Sequence, residues 1–268
     1  MDHQTDKQTL NRNRRLCRNA PAVCRRRSLR DELDPEEAAI SLAPGECSTE
    51  ETEKTLFALA LAVEQRDQHT AAHCERLAFI GVALGMALQL SREDVMALYR
   101  GGFLHDVGKV GIPDSILFKP GQLTAAEWVV MRSHSARGEE ICRHLKSLAP
   151  VLPIIRHHHE RWDGGGYPDG LRKNQIPLLA RVVQIADIYD ALTSARAYKP
   201  AFAPDKALRV IEEETSRGWR DPEIVDLFFR VHKGILAKLE YYCVGADRNL
   251  VALRNSVTDL QTLMDAVA

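Results

Sequence analysis

The stretch that decides the fold is VVQIADIYDAL, Val182–Leu192. Its apolar residues recur at the three- and four-residue spacing of a helix, and Pro177 is expected in the first turn of that helix. Asp187 stands in the middle of this apolar segment, where a carboxylate must be paired or bound to a metal ion. The stretch therefore predicts a buried helix that carries an acid into the core of a helical domain.

The sequence on both sides predicts further helices. One helix repeats apolar residues on a single face: Leu77, Ile80, Leu84 and Leu88. Capping signatures begin others: Ser48 with Glu51, Ser91 with Asp94, Thr124 with Glu127, and Asp221 before Pro222. Apart from short ambiguous segments, no alternation of apolar and polar residues indicates a strand. We therefore predict an all-α domain over 48–242, preceded by a disordered, charged arm over 1–47 and followed by a C-terminal helix over 243–268.

The composition excludes several classes of protein. The 268 residues are 45% apolar and 27% charged, and the net charge of −1 indicates no nucleic-acid partner. The longest stretch without Asp, Glu, Lys or Arg is the fifteen residues 77–91, and a membrane-spanning helix needs about 20 apolar residues. The six cysteines form no CxxC pair. We expect free thiols in a reducing cytoplasm, without a disulfide framework or a cysteine-ligated zinc site.

Charge is concentrated at the N-terminus. Residues 1–30 hold nine Lys or Arg against two Asp, and residues 31–54 hold nine Asp or Glu against Lys54. A basic arm can bind nucleic acid or a membrane surface. This one lacks interleaved aromatic residues and apolar periodicity, so a solvated tail, able to fold back on the acidic segment, is the better interpretation.

Histidines and acids fall at inward-facing positions of several predicted helices. A single inward histidine is more often a hydrogen-bonded core residue than a metal ligand. The candidates here are spread over five helices: His73, His105 with Asp106, His134, His158 with His159, and Asp187. Separate buried polar groups would each need a partner of their own, so a shared metal centre explains the pattern better. Lys109, one turn after His105, is aimed near the same place.

Successive motifs resemble those of one family. FLHDVGK, GIPD, KPG.LT..E, H...G, HHERWDGGGYP and ADIYDALTSARAYKP occur in the order and spacing of the HD-GYP family, over roughly residues 60–230. That family belongs to the HD superfamily of metal-dependent phosphohydrolases and degrades cyclic di-GMP. The resemblance implies an all-α HD-superfamily helical bundle with a metal centre in the bundle core. It also implies a cytoplasmic cyclic di-GMP phosphodiesterase that releases linear pGpG, GMP or both.

The resemblance also implies roles for individual residues. It makes metal ligands of His73, His105, Asp106, His134, His158, His159 and Asp187, and it gives catalytic roles to Asp106 and Lys109. It assigns substrate binding to Gly164, Gly165, Gly166, Tyr167 and Pro168, with Arg196 and Lys199 gripping phosphate. The glycines would let the backbone approach the substrate closely, and the Tyr167 ring would face a guanine base. His157 precedes the HHE block and is not expected to be a ligand.

The expected ligands are all nitrogen and oxygen, which suits iron or manganese. Two divalent ions are expected, with a bridging hydroxide that attacks the phosphorus atom. Three-metal family members carry a glutamate at the position of His69, so His69 is a candidate additional ligand, although a position on the pocket rim is favoured. Asp190, one turn after Asp187, is expected either to support a ligand or to be a surface acid.

Two other functions stay open from the sequence. One is a phosphodiesterase for another cyclic dinucleotide, since the glycine loop argues only against nucleotide mono- and triphosphates. The other is a regulatory module that binds a dinucleotide or a diguanylate cyclase (GGDEF) domain, although the complete ligand set disfavours a catalytically silent protein. The C-terminal helix could pack on the core or form a homodimer contact.

Overall fold

The computed structural model describes residues 49–66, 73–195 and 200–244. In these ranges the chain is helical and contains no strand, so the all-α prediction is confirmed. The α-helices there are α1 Thr49–Arg66, α2 His73–Ala87, α3 Arg92–Leu104, α4 Asp114–Leu117, α5 Ala125–Arg132, α6 His134–Cys142, α7 Leu152–His157, α8 Leu178–Thr193, α9 Pro204–Ser216 and α10 Pro222–Val244. Short 3₁₀ turns lie at Val107–Gly111, Lys146–Leu148 and Lys173–Gln175.

Helices α2 and α8 form the centre of the bundle. α2 packs against α3, α8 and α10, and α8 also contacts α7 and α9. The predicted apolar face of α2 is buried: Leu77 and Leu84 are 0% exposed and Ile80 is 1% exposed. Each such side chain contributes about 1.5–3 kcal/mol to folding when it is fully buried. Leu88 lies beyond the end of α2 and is only partly buried against the core.

The helix starts follow the capping signals of the sequence. Side-chain caps are present at Ser91 from the Asp94 N–H (3.1 Å), at Thr124 from the Glu127 N–H (3.3 Å), and at Asp221 from the Glu223 N–H (2.9 Å). The expectation for Pro177 is off by a residue, because Pro177 is the cap before Leu178 and lies outside the first helical turn. Its extended backbone, with ψ at 136°, ends the preceding loop.

Some predicted features lie outside the described residues. They are Ser48, the arm over 1–47, His69, Arg196, Lys199 and the segment after Val244. α10 itself continues without a break past position 242. In the part of the chain that the structure describes, no helix is long and apolar enough to cross a bilayer.

Two glycines allow backbone segments to approach closely where the polar residues converge. A Cβ at Gly102 would lie 2.6 Å from the backbone N and Cα of Ala78, so α3 crosses α2 in direct contact. A Cβ at Gly108 would lie 1.9 Å from the carbonyl oxygen of His134. Only glycine permits these two approaches, which bring the end of α3 and the start of α6 together.

Candidate metal centre

Five helices direct histidines and acids to one point inside the bundle. His73 begins α2, His105 caps the end of α3, His134 begins α6, and His158 follows α7. Each of these four residues is at most 2% exposed. Asp187 reaches the same region from α8. The structure therefore brings together residues that are separated by more than a hundred positions in the sequence.

Asp106 lies between two groups of imidazoles. Its Oδ1 is 3.2 Å from His134 Nε2 and 3.8 Å from His158 Nε2, while its Oδ2 is 3.2 Å from His105 Nε2. The potential ligand atoms form two sets, each within 4.8 Å: Asp106, His134, His158 and His159; and His73, His105 and Asp106. One carboxylate is common to both sets. These residues could hold two neighbouring divalent ions, with Asp106 available to both sets.

Backbone carbonyl groups orient three of the imidazoles. Their Nδ1 atoms lie at hydrogen-bond distance from carbonyl oxygens: His105 from Gly102 (3.0 Å), His134 from Met131 (2.8 Å) and His158 from Ile155 (2.9 Å). Each Nε2 is thereby turned toward Asp106. These Nε2 atoms and Asp106 Oδ1 are buried without a hydrogen-bond partner among the described residues. Such atoms each cost about 1–3 kcal/mol, and bound metal ions would satisfy them, so the residues fit a metal centre.

His73 is oriented by an acid instead of a carbonyl group. Its Nδ1 is 2.7 Å from Asp190 Oδ2, and Asp190 also accepts hydrogen bonds from Arg76 at 2.5 and 3.1 Å. Burial alone would raise the pKa of Asp190, but the bonds from His73 and Arg76 lower it to about 2. Asp190 is therefore a buried support for His73, and the surface interpretation is wrong. The backbone N–H of His73 donates to Glu64 of α1 at 2.6 Å, which fixes the start of α2.

Asp187 lies at the edge of the cluster. Its Oδ1 is 3.9 Å from His73 Nε2, and its side chain is 24% exposed. It is not part of either compact set of ligand atoms. The Asp187 carboxylate faces the His73 imidazole at this distance. Its role as a metal ligand stays a prediction.

The electrostatics keep Asp106 ionised. Burial by itself would raise the pKa of Asp106, but the Lys109 ammonium and the His105 and His134 imidazoles hold it well below its usual range. Lys109 Nζ donates to Asp106 Oδ2 at 2.7 Å, as its predicted position one turn on suggested. Burial lowers the pKa of His105, and Asp106 more than reverses this effect. Metal binding at His105 would compete with proton binding, since an imidazole ligand must be neutral.

Burial favours the neutral form of both histidines of the HHE block. Burial lowers the pKa of His158. Burial, followed by the neighbouring His158 and His134, lowers the pKa of His159 much further. Neutral imidazole is the form that coordinates a metal ion. His159 is ready to do so at neutral pH without losing a proton.

Glu160 holds the glycine loop in place. Its buried carboxylate accepts hydrogen bonds from the backbone N–H groups of Asp169 (2.7 Å), Gly170 (3.1 Å) and Leu171 (3.1 Å). A Cβ at Gly166 would lie 2.2 Å from the backbone N of Arg161 and 2.4 Å from Cα of Glu160. Gly166 is thus required for contact with the protein's own backbone, whatever the substrate needs. Sequence reasoning missed the role of Glu160, because its partners lie nine to eleven residues further on.

Tyr167 lies beside the histidines of the candidate metal centre. Its ring centroid is 4.8 Å from that of His159 with an interplanar angle of 31°, and the Arg132 guanidinium lies 5.3 Å from its centroid. The Tyr167–Pro168 peptide bond is cis. Burial, and then the Asp106 and Asp187 carboxylates, raise the pKa of Tyr167, so its phenol stays protonated. Tyr167 can therefore donate a hydrogen bond toward the cluster, while its contact with guanine stays a prediction.

A third set of potential ligand atoms lies beside the loop and consists of His157, Glu160 and Asp169. Asp169 accepts two hydrogen bonds from Arg156, at 2.8 and 2.9 Å. The Glu160 carboxylate is occupied by the three backbone N–H groups given above. His157 belongs to this set and is absent from both sets that contain Asp106. These contacts give the third set a role in loop structure.

Arg66 was not singled out by the sequence, yet it holds the turn that carries Lys109. Its guanidinium donates to the carbonyl oxygens of Lys109 and Val110, both at 3.2 Å, and to that of Ile112 at 2.8 Å. It also contacts Asp114 at 2.5 Å, but that acid is 70% exposed, and exposed ion pairs stabilise little. The carbonyl contacts are therefore the main function of Arg66, which positions the backbone that follows Asp106.

Comparison with known proteins is consistent with this geometry. A family model described as HD domain matches residues 58–224. The cyclic di-GMP phosphodiesterase response regulator RpfG of Xanthomonas campestris is 42% identical over 196 residues, which is 72% of this chain and 50% of that protein. A 3′3′-cGAMP-specific phosphodiesterase 2 of Vibrio cholerae is 39% identical over 180 residues, 66% of this chain and 34% of that protein. The chain thus spans half or less of the length of these relatives.

A solved structure has the same fold. The cyclic GMP-AMP specific phosphodiesterase V-cGAP3 of V. cholerae aligns with a TM-score of 0.56 at 21% identity, over 75% of this chain and 52% of that one. The fold, the convergence of the HD motif with the HHE block, and the family match agree with one another. The chain belongs to the HD domain family, and within it to the HD-GYP family.

Proposed function

We propose that this chain is a metal-dependent phosphodiesterase that hydrolyses cyclic di-GMP. The observation that carries the proposal is the Asp106 carboxylate, which lies within 3.2 Å of imidazole nitrogens from two separate sets. A histidine–carboxylate centre with one shared carboxylate suits a pair of divalent ions that act on a phosphodiester. The name of the X. campestris relative supports cyclic di-GMP as the substrate.

The chain's residues divide into two ligand groups. His134, His158 and His159 would hold one ion with Asp106, and the other would be held by Asp106 with His73, His105 and Asp187. The absence of thiolates from these groups suits iron or manganese. Two ions are proposed, and a third at His69 stays a prediction.

Each remaining residue has a defined task. Two bound divalent ions would supply an activated water as nucleophile and would offset charge on the phosphoryl oxygens. Lys109 adds a positive charge beside Asp106, where it can stabilise the developing negative charge on phosphate. The protonated Tyr167 phenol can donate to a phosphoryl oxygen. Arg196 and Lys199 are proposed to hold phosphate, and no side chain is needed as general base.

A second candidate substrate is another cyclic dinucleotide, which the name of the V. cholerae relative favours: it is specific for 3′3′-cGAMP. We also propose that the product is pGpG or GMP and that the protein is cytoplasmic. GGDEF domains are the proposed partners, and the chain is proposed to form a homodimer. The catalytic domain is proposed to cover 48–242.

The test is metal analysis and product chromatography on protein purified without oxygen. The wild-type protein is expected to contain two ions per chain and to convert cyclic di-GMP faster than 3′3′-cGAMP. Asp106→Ala should lose both metal and turnover, whereas Asp226→Ala, which removes an exposed acid of α10, should change neither. Full turnover by Asp106→Ala with metal still bound would refute the dinuclear centre. Faster turnover of 3′3′-cGAMP would show that this dinucleotide is the preferred substrate, and the proposed mechanism would still hold.

A further inference from the structure

Arg132 stands at the rim of the metal centre, between two aromatic rings. It is the last residue of α5 and lies two positions before His134. Its guanidinium carbon is 5.5 Å from the Trp128 ring centroid and 5.3 Å from the Tyr167 ring centroid. The rings hold the guanidinium by cation–π contacts.

The guanidinium of Arg132 has no acidic partner in the described part of the chain. Among the residues that the structure describes, Arg132 has no ion pair and donates no hydrogen bond; its contacts are the two rings. Nearby arginines differ, since Arg66, Arg156 and Arg161 each have a carboxylate partner. A guanidinium held over aromatic rings still presents N–H groups at its edge. Arg132 is therefore an exposed cation, held against two rings beside the site.

Helix α5 is not held in place by the core. None of its eight residues is buried, and Trp128 and Val129 are 44% and 71% exposed. A tryptophan at the surface offers a large flat apolar face, and tryptophan is enriched at binding interfaces. Tyr167 links this surface to the metal centre, because the same ring that contacts Arg132 also rests on His159 at 4.8 Å.

We propose, on the basis of the function above, that Arg132 binds the second phosphate of the cyclic dinucleotide, the one that is not being hydrolysed. A cyclic dinucleotide carries two phosphodiesters, and the metal centre engages only one in each reaction. The other remains an anion, and a guanidinium binds phosphate through paired N–H donors. Trp128 would stack on the adjacent base. Arg196 and Lys199 remain the contacts proposed for the phosphate under attack.

The test compares two substrates with the metal-loaded full chain. Cyclic di-GMP has the second phosphate and the bases, whereas bis(p-nitrophenyl) phosphate has a single phosphate and no base. Arg132→Ala should raise the KM for cyclic di-GMP by about 10- to 100-fold, as expected for loss of a charged hydrogen bond, and should affect the aryl diester far less. Arg132→Lys should restore only part of the affinity, because it loses the paired donors and the stacking. Trp128→Ala should raise the same KM less strongly.

Arg143→Ala is the control, since Arg143 is another exposed arginine, directly after α6, and contacts Glu140 at 3.6 Å. It should leave both KM values unchanged. Metal content and thermal unfolding verify that each variant is folded. An equal loss on both substrates would show that Arg132 acts on the metal centre and would overturn the assignment, as would an unchanged KM for cyclic di-GMP. Wild-type turnover of the aryl diester without turnover of any cyclic dinucleotide would instead refute the proposed function, and the assignment with it.

Discussion

Replacing Gly108 by alanine should separate the two halves of the metal centre. A Cβ at Gly108 would lie 1.9 Å from the carbonyl oxygen of His134, 2.5 Å from the backbone N of Gly138 and 2.8 Å from the carbonyl carbon of His134. All three are backbone atoms, so no side-chain rotation can relieve the contact. The 3₁₀ turn that follows Asp106 must move away from the first turn of α6.

The size of this movement follows from the contact itself. Side-chain Cβ atoms essentially never approach other heavy atoms closer than 3.0 Å, so the gap at the His134 oxygen must widen by at least 1.1 Å. Ligand positions in a metal site tolerate errors of about 0.2 Å. His134 Nε2, now 3.2 Å from Asp106 Oδ1, would therefore leave the shared site. We expect metal affinity to fall by about 100-fold or more, since even loss of an indirect support costs 10–100-fold.

The assay measures bound metal by mass spectrometry, turnover of cyclic di-GMP, and thermal unfolding. Gly108→Ala should lose metal and activity, with a cost of about 1–3 kcal/mol in stability from overpacking. Gly111→Ala is the control in the same turn, because its Cβ would meet only the flexible end of Arg137, at 3.0 Å. Gly138→Ala should fall between the two, since its nearest atom is a side-chain carbon of Ile155 at 2.8 Å.

A Gly108→Ala protein with two metals per chain and turnover within twofold of wild type would refute this reasoning. It would mean that the turn and α6 can separate without moving Asp106 or His134. A variant that keeps its helical circular dichroism but loses metal would support the argument most directly.

Three further variants test the supports of the centre. Arg66→Ala should lower the free energy of unfolding by about 1–3 kcal/mol and reduce kcat, because the carbonyl groups of the turn that carries Lys109 lose their donor. Arg66→Lys should rescue little, since an ammonium lacks the paired donors of a guanidinium, and full rescue would contradict this role. Asp190→Asn should weaken metal binding by about 10- to 100-fold, measured by chelator competition, because His73 loses its carboxylate partner; unchanged affinity would remove Asp190 from this role. Glu160→Gln should lower the melting temperature and raise the KM with metal content retained, because an amide has one acceptor oxygen where three N–H groups of the loop now bind a carboxylate; an unchanged KM would separate the loop from substrate binding.

Helix content and helix starts could be predicted from the sequence because they depend on residues that are close together along the chain. The caps at Ser91 and Thr124 join residues three positions apart, and the buried face of α2 follows from a repeat of three and four. Pro177 was misplaced by a residue, since a proline with an extended backbone is compatible with the cap as well as with the first turn. The residue types of the metal centre were also readable, because the HD and HHE motifs are contiguous in the chain.

The grouping of these residues depends on how the helices cross. Asp106 serves two sets of imidazoles only because Gly102 and Gly108 let the end of α3 lie directly against α2 and α6. The pairing of His73 with Asp190 joins residues 117 positions apart. No local pattern in the sequence could therefore tell whether Asp190 supports a ligand or is a surface acid. The Nε2 atoms face Asp106 because each Nδ1 lies against a carbonyl group whose position is set by its own helix end.

The sequence by itself therefore determined the all-α class, several helix starts and the kinds of ligand that a metal centre would use, since these follow from spacing and chemistry along the chain. A shared Asp106 carboxylate was already expected from the sequence. Only the tertiary structure decided which imidazoles lie on each side of it, that Glu160 holds the glycine loop, and that Arg66 and Arg132 lie beside the site. Those facts arise from contacts between helices that are distant in sequence. Their geometry is fixed by close packing between helices, as the contact of Gly108 with His134 shows.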